Sequence, residues 1–275
     1  MSSTTLADGF RTAVLLPCHN VGATIGAVVR GFAAALPGAR IYVFDNNSTD
    51  DTAREAAHAG ARVFRESRQG TGAVLRRMFA DIEADVYVMA AGDGSSDPAD
   101  APSLVNALIT EHVDMVVGTW PKLDDAPPSK ASGYRAFTRR FVKSFPAVSD
   151  RLGIETEMSV HAAQLMIPVA EIELSGVQPA AEDRRGAPAG MAGRAEVVRE
   201  TRPAAFYGVA AILLAVFGAV LLLSTSSIPA MLIGTALLLS GSVVAALGLI
   251  IERLDRARIE QKRILFLAVP RLGVQ

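Results

Sequence analysis

Five short apolar runs, separated by four segments of helical periodicity, occupy the first 118 residues of the chain. The runs cover 12–17 (TAVLLP), 40–45 (RIYVFD), 62–65, 86–90 (VYVMA) and 114–118, each bounded by turn residues, as buried strands are. Between them 22–36 carries Ile25, Val28, Val29, Phe32 and Leu36 at helical spacing. The segments 51–60, 72–84 and 102–111 also read as helices, the first with Thr49 or Asp50 as N-cap and Gly60 as its stop. Strand and helix in strict alternation, with short connections, imply an α/β domain with a mostly parallel sheet covered on both faces. Such sheets bind ligands outside the carboxyl ends of their strands. The positions to interrogate are therefore 18–20, 45–50, 66–72 and 91–97.

The rest of the chain is organised differently. Residues 121–130 read as a loop, 135–145 as a basic amphipathic stretch, and 157–166 as a helix followed by a strand. A segment dense in Gly, Ala, Pro and Arg, 176–193, reads as a weakly ordered linker. Then come two runs without a single charge, 204–223 and 230–251. Each has the roughly 20 residues that crossing a bilayer core of about 30 Å requires. The turn between them, 224–229, is uncharged, whereas Arg199 and Arg202 precede the pair and Arg253, Arg256, Arg258, Lys262 and Arg263 follow it. Positive charge on both flanks places both in the cytoplasm. The other reading of the pair is a helical hairpin buried in a soluble core.

Composition narrows the function. Half of the residues are apolar, and the excess lies after Pro203. A net charge of −1 gives no basic footprint for nucleic acid. The single cysteine, Cys18, excludes an internal disulfide and a cysteine metal cluster and reads as a small buried filler. Residues 1–12 lack an apolar core of signal-peptide length, so the first domain is expected to face the cytoplasm.

Two strand ends carry chemistry. Asp45, followed by Asn46 and Asn47, closes the second strand. A carboxylate there suits a ribose or a base, and Asp and Asn also simply favour turns. Ala91-Gly92-Asp93-Gly94 follows the fourth strand. Its carboxylate, with glycines admitting close backbone approach, suits a hard cation bridging phosphate oxygens; Asp97 would assist, and the alternative is a glycine-rich turn. A Gly-Asp-Gly-Ser string also occurs in thiamine-diphosphate enzymes, but their downstream Asn pair is absent, since Asn106 is wrongly placed.

The segments VLLPCHNVGATI, VFDNNSTDDTA, RQGTGAVLRRMFADIEADVYVMAAGDGSSDP, SGYRAFTRRFVKSF and IETEMSVHA occur in this order. Together they resemble family 2 glycosyltransferases of the GT-A fold, similar to the dolichol-phosphate and polyprenyl-phosphate mannosyl- or glucosyltransferases. The likeness spans about 12–175, and the helix pair is similar to that of several members. The resemblance implies transfer of a hexose from a UDP- or GDP-linked sugar to a lipid-phosphate acceptor, with inversion. It implies a nucleotide-sugar and lipid-phosphate site formed by Pro17, Asn20, Asp45, Asn47, Gly70, Gly72, Ser132, Tyr134, Arg139 and Glu155. It implies Mg²⁺ or Mn²⁺ held by Asp93 and Asp97, and catalytic roles for Asp93 and Arg135. Arg135, Arg139, Arg140 and Lys143 would meet a lipid phosphate at the membrane surface. Arg76 and Arg77 read either as phosphate contacts or as a solvated face, and Glu155 and Glu157 either as substrate contacts or as helix N-terminal charge.

The sequence departs from the family pattern at several charged positions. Ala91 replaces the first acid of Asp-x-Asp, Val21 and Gly22 follow Asn20 where an acid is usual, Thr71 replaces Lys, and Ser129 replaces an Asp. Two readings follow: an active transferase with a reduced site, or a catalytically inactive relative that binds a nucleotide or a partner enzyme. A nucleotide-dependent oxidoreductase lacks its fingerprint, because the first turn reads CHNVGA. The expected organisation is a tail (1–11), a GT-A domain (12–175), a linker (176–203), a transmembrane hairpin (204–251) and a cytoplasmic basic tail (252–275). The expected location is a bacterial inner membrane, multi-pass, with both termini cytoplasmic; a homo-oligomer is compatible with this.

Overall fold

The computed structural model describes residues 9–120, 131–146, 154–175, 203–224 and 227–273. The expected loop at 121–130 and nearly all of the expected linker lie outside them. The chain divides into two compact units, Met1–Gly186 with Lys262–Gln275, and Ala187–Gln261.

The first unit alternates as its sequence predicts: β1 (Thr12–Cys18), α1 (Gly22–Ala35), β2 (Arg40–Asp45), α2 (Thr52–His58), β3 (Arg62–Arg65), α3 (Thr71–Asp81), β4 (Val86–Met89), α4 (Ala101–Thr110) and β5 (Met115–Thr119). It continues with β6 (Ala131–Thr138), α5 (Arg139–Ser144), α6 (Ile154–Leu165) and β7 (Val169–Glu173). The seven strands form one mixed sheet in the order β3-β2-β1-β4-β6-β5-β7. The chain steps outward from β1 through β2 to β3, then returns to the other side of β1 with β4. The loops after β1 and β4 therefore diverge at a topological switch point, where open sheets leave a crevice.

Periodicity decides which face each side chain covers. Val14, Leu16, Val86, Val88, Tyr134 and Ala136 pack with Ile25, Val29 and Phe32 of α1 and Leu104 and Leu108 of α4 in one core. On the other face Phe137 meets Phe79 of α3 and stacks on Phe141 of α5. Burying a side chain of this size stabilises the fold by about 2 kcal/mol.

The stretch 135–145 is not one amphipathic element. Its first part is β6, which runs antiparallel between β4 and β5, pairing Val86 with Thr138 and Met89 with Arg135. Because Val86 also pairs with Thr12 at the start of β1, β6 ends at the edge opposite the strand carboxyl ends. Arg139, Arg140 and Lys143 lie there, engaged in structure. Arg139 Nε donates to Glu83 at 3.0 Å. Lys143 Nζ pairs with Glu83 at 2.7 Å and donates to the carbonyls of Phe79 and Ile82, satisfying the end of α3. These two cations hold the Glu83 carboxyl below its ordinary range. Arg140 binds the buried Asp114 through Nε and Nη2.

His161 of α6 lies edge-on to Phe141 and Phe145, at 5.4 and 5.3 Å. The Ser144 hydroxyl donates to the Phe141 carbonyl and so accepts from His161 Nε2, at 3.1 Å. Nδ1 is buried without a hydrogen bond among the described residues. Burial, then the charge of Lys262, pushes this imidazole down to about 4. The unfolded chain takes up a proton near pH 6.5 that the fold resists, so stability is complete above 6.5 and falls as pH drops toward 4. The full loss amounts to about 3 kcal/mol. Melting temperatures of His161→Gln and the parent between pH 7 and 4.5 check this: the variant's should fall less.

The expected basic tail is helical. After α7 (Pro203–Ser224), α8 runs from Ile228 to Ala268. Its last residues and those after it belong to the first unit. There Phe266 lies under the Arg140 guanidinium at 4.5 Å, and Leu272 packs against the core. In the second unit the two helices approach through glycines. A Cβ on Gly218 would stand 2.8 Å from the Gly234 carbonyl, and one on Gly241 3.0 Å from that of Ala211.

Candidate active site

The strand-end loops are knitted by hydrogen bonds. Asn20 and Asn47 both adopt left-handed backbone, φ 52° and 63°, which Asn tolerates better than other non-glycine residues. Asn20 Oδ1 accepts from the Thr49 backbone N–H at 2.9 Å, which turns its amide nitrogen toward His19 Nε2. His19 Nδ1 in turn donates to the Asn46 carbonyl at 2.9 Å. Asn46 reaches onward: its amide donates to the carbonyls of Glu66 and Arg68, and its oxygen accepts from Gly70 N. Gly70, at φ 120°, precedes α3 in a conformation open to glycine. Asp50 accepts from Thr52 and from Gly22 N, which hold its carboxyl below the ordinary range. The loops after β1, β2 and β3 are thus one assembly.

Asp45 is buried at the end of β2, where Oδ1 accepts from Ser48 N at 3.1 Å and Oδ2 faces Arg65 at 3.9 Å. One oxygen thus serves the turn, and the other is the one turned toward Arg65. Asp93 is exposed after β4, with Oδ1 fixed by Ser95 N at 2.9 Å. The Cys18 thiol registers both carboxylates: burial first, then the charges of Asp45 and Asp93, push it up to about 12. Cys18 also sets the height of the glycine turn, because a Cβ on Gly92 would stand 2.4 Å from its Sγ. Gly92→Ala should cost about 1–3 kcal/mol through overpacking, and adding Cys18→Ala should recover most of it. Urea unfolding of the single and double variants checks both.

On the far side of β4, β6 begins at Ala131, four residues before the Arg135 that pairs with Met89, so its first residues lie past the carboxyl end of β4. Gly133 lies there, and a Cβ on it would stand 3.3 Å from Glu155 Oε1 at the start of α6. Glu155 is exposed.

The structure does not bring every expected residue to this edge. Tyr134 and Arg135 are buried, at 1% and 0% exposure, and are not presented to a substrate. Tyr134 meets Phe32 edge-on, and its phenol is pushed upward by burial. Arg139 lies at the opposite edge, with Arg140 and Lys143, because β6 is antiparallel. Asp97 accepts from Ala99 N as a helix cap. Pro17 is within β1, Gly72 is buried in the first turn of α3, and Arg77 pairs with Asp81 along α3. The Ser132 side chain lies outside the described residues. Two residues of those motifs outside the expected site set, His19 and Asn46, anchor the loops; their polarity at strand ends was the available signal.

The family model "Glycosyl transferase family 2" matches residues 13–167, more than half of the chain. The chain belongs to glycosyltransferase family 2. It is an enzyme that uses a nucleotide sugar, with a GT-A-type domain. This family 2 member is 49% identical over 109 residues to Protein RfbJ of Shigella flexneri, covering 40% of this chain and 84% of that protein. It is 32% identical over 184 residues to the glycosyltransferase AglJ of Haloferax volcanii, covering 55% of this chain and 58% of that one. Among solved structures it is similar in fold to glucosyl-3-phosphoglycerate synthase of Mycobacterium tuberculosis in complex with Mn²⁺, UDP-glucose and phosphoglyceric acid. That likeness has a TM-score of 0.54 at 23% identity, over 65% of this chain and 74% of that one.

The donor set for a metal is small. Among the described residues no group of three His, Cys, Asp or Glu side chains is placed to hold an ion. Mg²⁺ asks for less: one or two carboxylates, with water and substrate phosphates completing the shell. Asp93 fits that demand, because one oxygen is fixed by the backbone and the side chain is exposed at the sheet edge.

Proposed function

We propose that this glycosyltransferase moves a hexose from a UDP- or GDP-linked sugar to a polyprenyl-phosphate-type lipid at a membrane. The observation that carries the reading is that Asp45 stands in register with Cys18 across β1 and β2 while the Asp93 turn packs on the Cys18 Sγ through Gly92, at the switch point of the sheet. The nucleoside lies along the loops after β1 and β2, and the diphosphate against the glycine turn of Asp93. Asp93 would hold Mg²⁺ or Mn²⁺, which supplies electrostatic stabilisation of the departing diphosphate. A phosphate acceptor carries its own anionic nucleophile, so no strong base is required. Its oxygen attacks the anomeric carbon as the bond from that carbon to the diphosphate breaks. Glu155 presents its carboxylate to the hydroxyls of the sugar. The Mn²⁺ and UDP-glucose in the glucosyl-3-phosphoglycerate synthase complex are consistent with this donor chemistry.

The helix pair supports a lipid acceptor. Ala205–Ser224 and Ile228–Ala268 have peak mean hydropathies of 2.6 and 2.1 and are long enough to cross a membrane. Ile212, Leu213 and Phe217 of α7 are more than half exposed, unlike side chains of a core hairpin. The basic residues flanking the pair support cytoplasmic ends at a bacterial inner membrane.

Membranes containing the protein, incubated with Mg²⁺, polyprenyl phosphate and radiolabelled UDP-glucose or GDP-mannose, should yield labelled lipid. Nucleotide binding without product would favour the inactive relative, to which Ala91 at the metal position points. Alkaline carbonate should leave the protein in the membrane pellet; release into the supernatant would contradict the two spans.

A further inference from the structure

Arg135 is the largest fully buried side chain among the described residues, and the proposed transfer gives it no substrate to touch. Burying a guanidinium is costly, and burial brings its pKa down to about 10, partly offset by the charge of Glu155. Its guanidinium reaches α6. Residues two apart on a strand share a face, so Gly133 and Arg135 both face α6 from β6. Arg135 Nη1 donates to Ser159 Oγ at 3.4 Å. The Ser159 hydroxyl donates to the backbone carbonyl of Glu155, one turn earlier, at 2.9 Å. Above this chain the Glu155 carboxylate hangs over Gly133, whose missing Cβ leaves it room.

We infer that Arg135 is a positioning residue, fixing the first turn of α6 through Ser159 so that the Glu155 carboxylate stands over Gly133 at the substrate edge. The inference rests on the reading of Glu155 as a substrate contact. It assigns to Arg135 a role exerted from inside the domain, in place of direct contact with substrate or leaving group. Met115 Sδ, at 3.9 Å from Nη1, closes the pocket beneath the guanidinium.

The test is a double-mutant cycle in the full-length protein, with Arg135→Met, Ser159→Ala and Glu155→Gln alone and combined. Turnover is followed with whichever of UDP-glucose and GDP-mannose the parent uses, and the affinity for the corresponding nucleoside diphosphate with Mg²⁺ by calorimetry. Arg135→Met should lower kcat/KM for the sugar nucleotide about 30- to 100-fold, as a misplaced group does. Nucleoside diphosphate affinity should stay within about twofold, and Arg135→Lys should recover part of the loss. In the Glu155→Gln background, Arg135→Met should cost less than about threefold more. Equal loss in both backgrounds, or a parallel loss of nucleotide affinity, would overturn the inference in favour of a plain structural pillar. Should Arg135→Met not fold, Ser159→Ala carries the same cycle, and parent-like turnover in it would equally overturn the inference. Full activity of Glu155→Gln would instead sink the reading of Glu155. If the parent binds without turnover, the ratio of sugar-nucleotide to nucleoside-diphosphate affinity is the quantity the cycle compares.

Discussion

Asp93→Ala is expected to lower product formation by about 100- to 1000-fold while the domain folds normally, the scale on which loss of one preorganised stabiliser of developing charge is felt. The side chain is exposed, so little packing is lost. Its Oδ1 accepts one backbone hydrogen bond, from Ser95, which holds the carboxylate above the glycine turn. Ala91 occupies the place of the family's first acid, so no neighbouring carboxylate on that turn compensates. Nucleoside binding along the β1 and β2 loops should survive, because Asn20, Asp45 and Asn46 are held by their own hydrogen bonds. Initial rates against nucleotide-sugar concentration, with Mg²⁺ varied, separate these effects. A variant retaining a tenth or more of the parent rate would place the diphosphate elsewhere.

Asp114→Ala is expected to be the most destabilising single change in the first unit, by about 3–5 kcal/mol. The carboxylate is 1% exposed and binds Arg140 with both oxygens, while Oδ1 also accepts from the Thr138 hydroxyl at 2.7 Å. Its removal strands a guanidinium over the Phe266 ring with no other anion paired to it among the described residues. For a chain of this length the loss is a fall of about 10 °C in melting temperature. Replacing both partners, Asp114→Leu with Arg140→Met, should cost less than Asp114→Ala alone, because no charge is then left buried. Thermal unfolding of the detergent-solubilised protein checks both. A single variant as stable as the parent would show that the pair contributes nothing.

Much of the fold is legible in the sequence because it is written locally. The apolar run 40–45 and the periodic Ile25, Val28, Val29 and Phe32 become β2 and α1 because hydrophobic period is a property of neighbours in sequence. Asp45 and Asp93 are legible as strand-end carboxylates for the same reason. The segment 135–145 misleads because its alternating residues are unusual for a strand: Arg135 is a buried charge, and the cations that follow mimic an amphipathic face. Nothing local shows that Arg139 and Arg140 are tied up in ion pairs, since their partners Glu83 and Asp114 lie 56 and 26 residues away. His19 and Asn46 are marked locally only as polar residues at strand ends; their worth depends on carbonyls in other loops.

Spacing and composition suffice for the alternation of strands and helices, the acidic residues at two strand ends, and two charge-free runs long enough to cross a membrane. The return of β4 beside β1, which puts Asp45 and the Asp93 turn at Cys18, arises from contacts between distant segments. So does the antiparallel entry of β6, which buries Arg135 and carries Arg139 to the opposite edge. Strand order and direction are set by packing between distant segments, and a local pattern of side chains cannot encode which neighbour a strand will find.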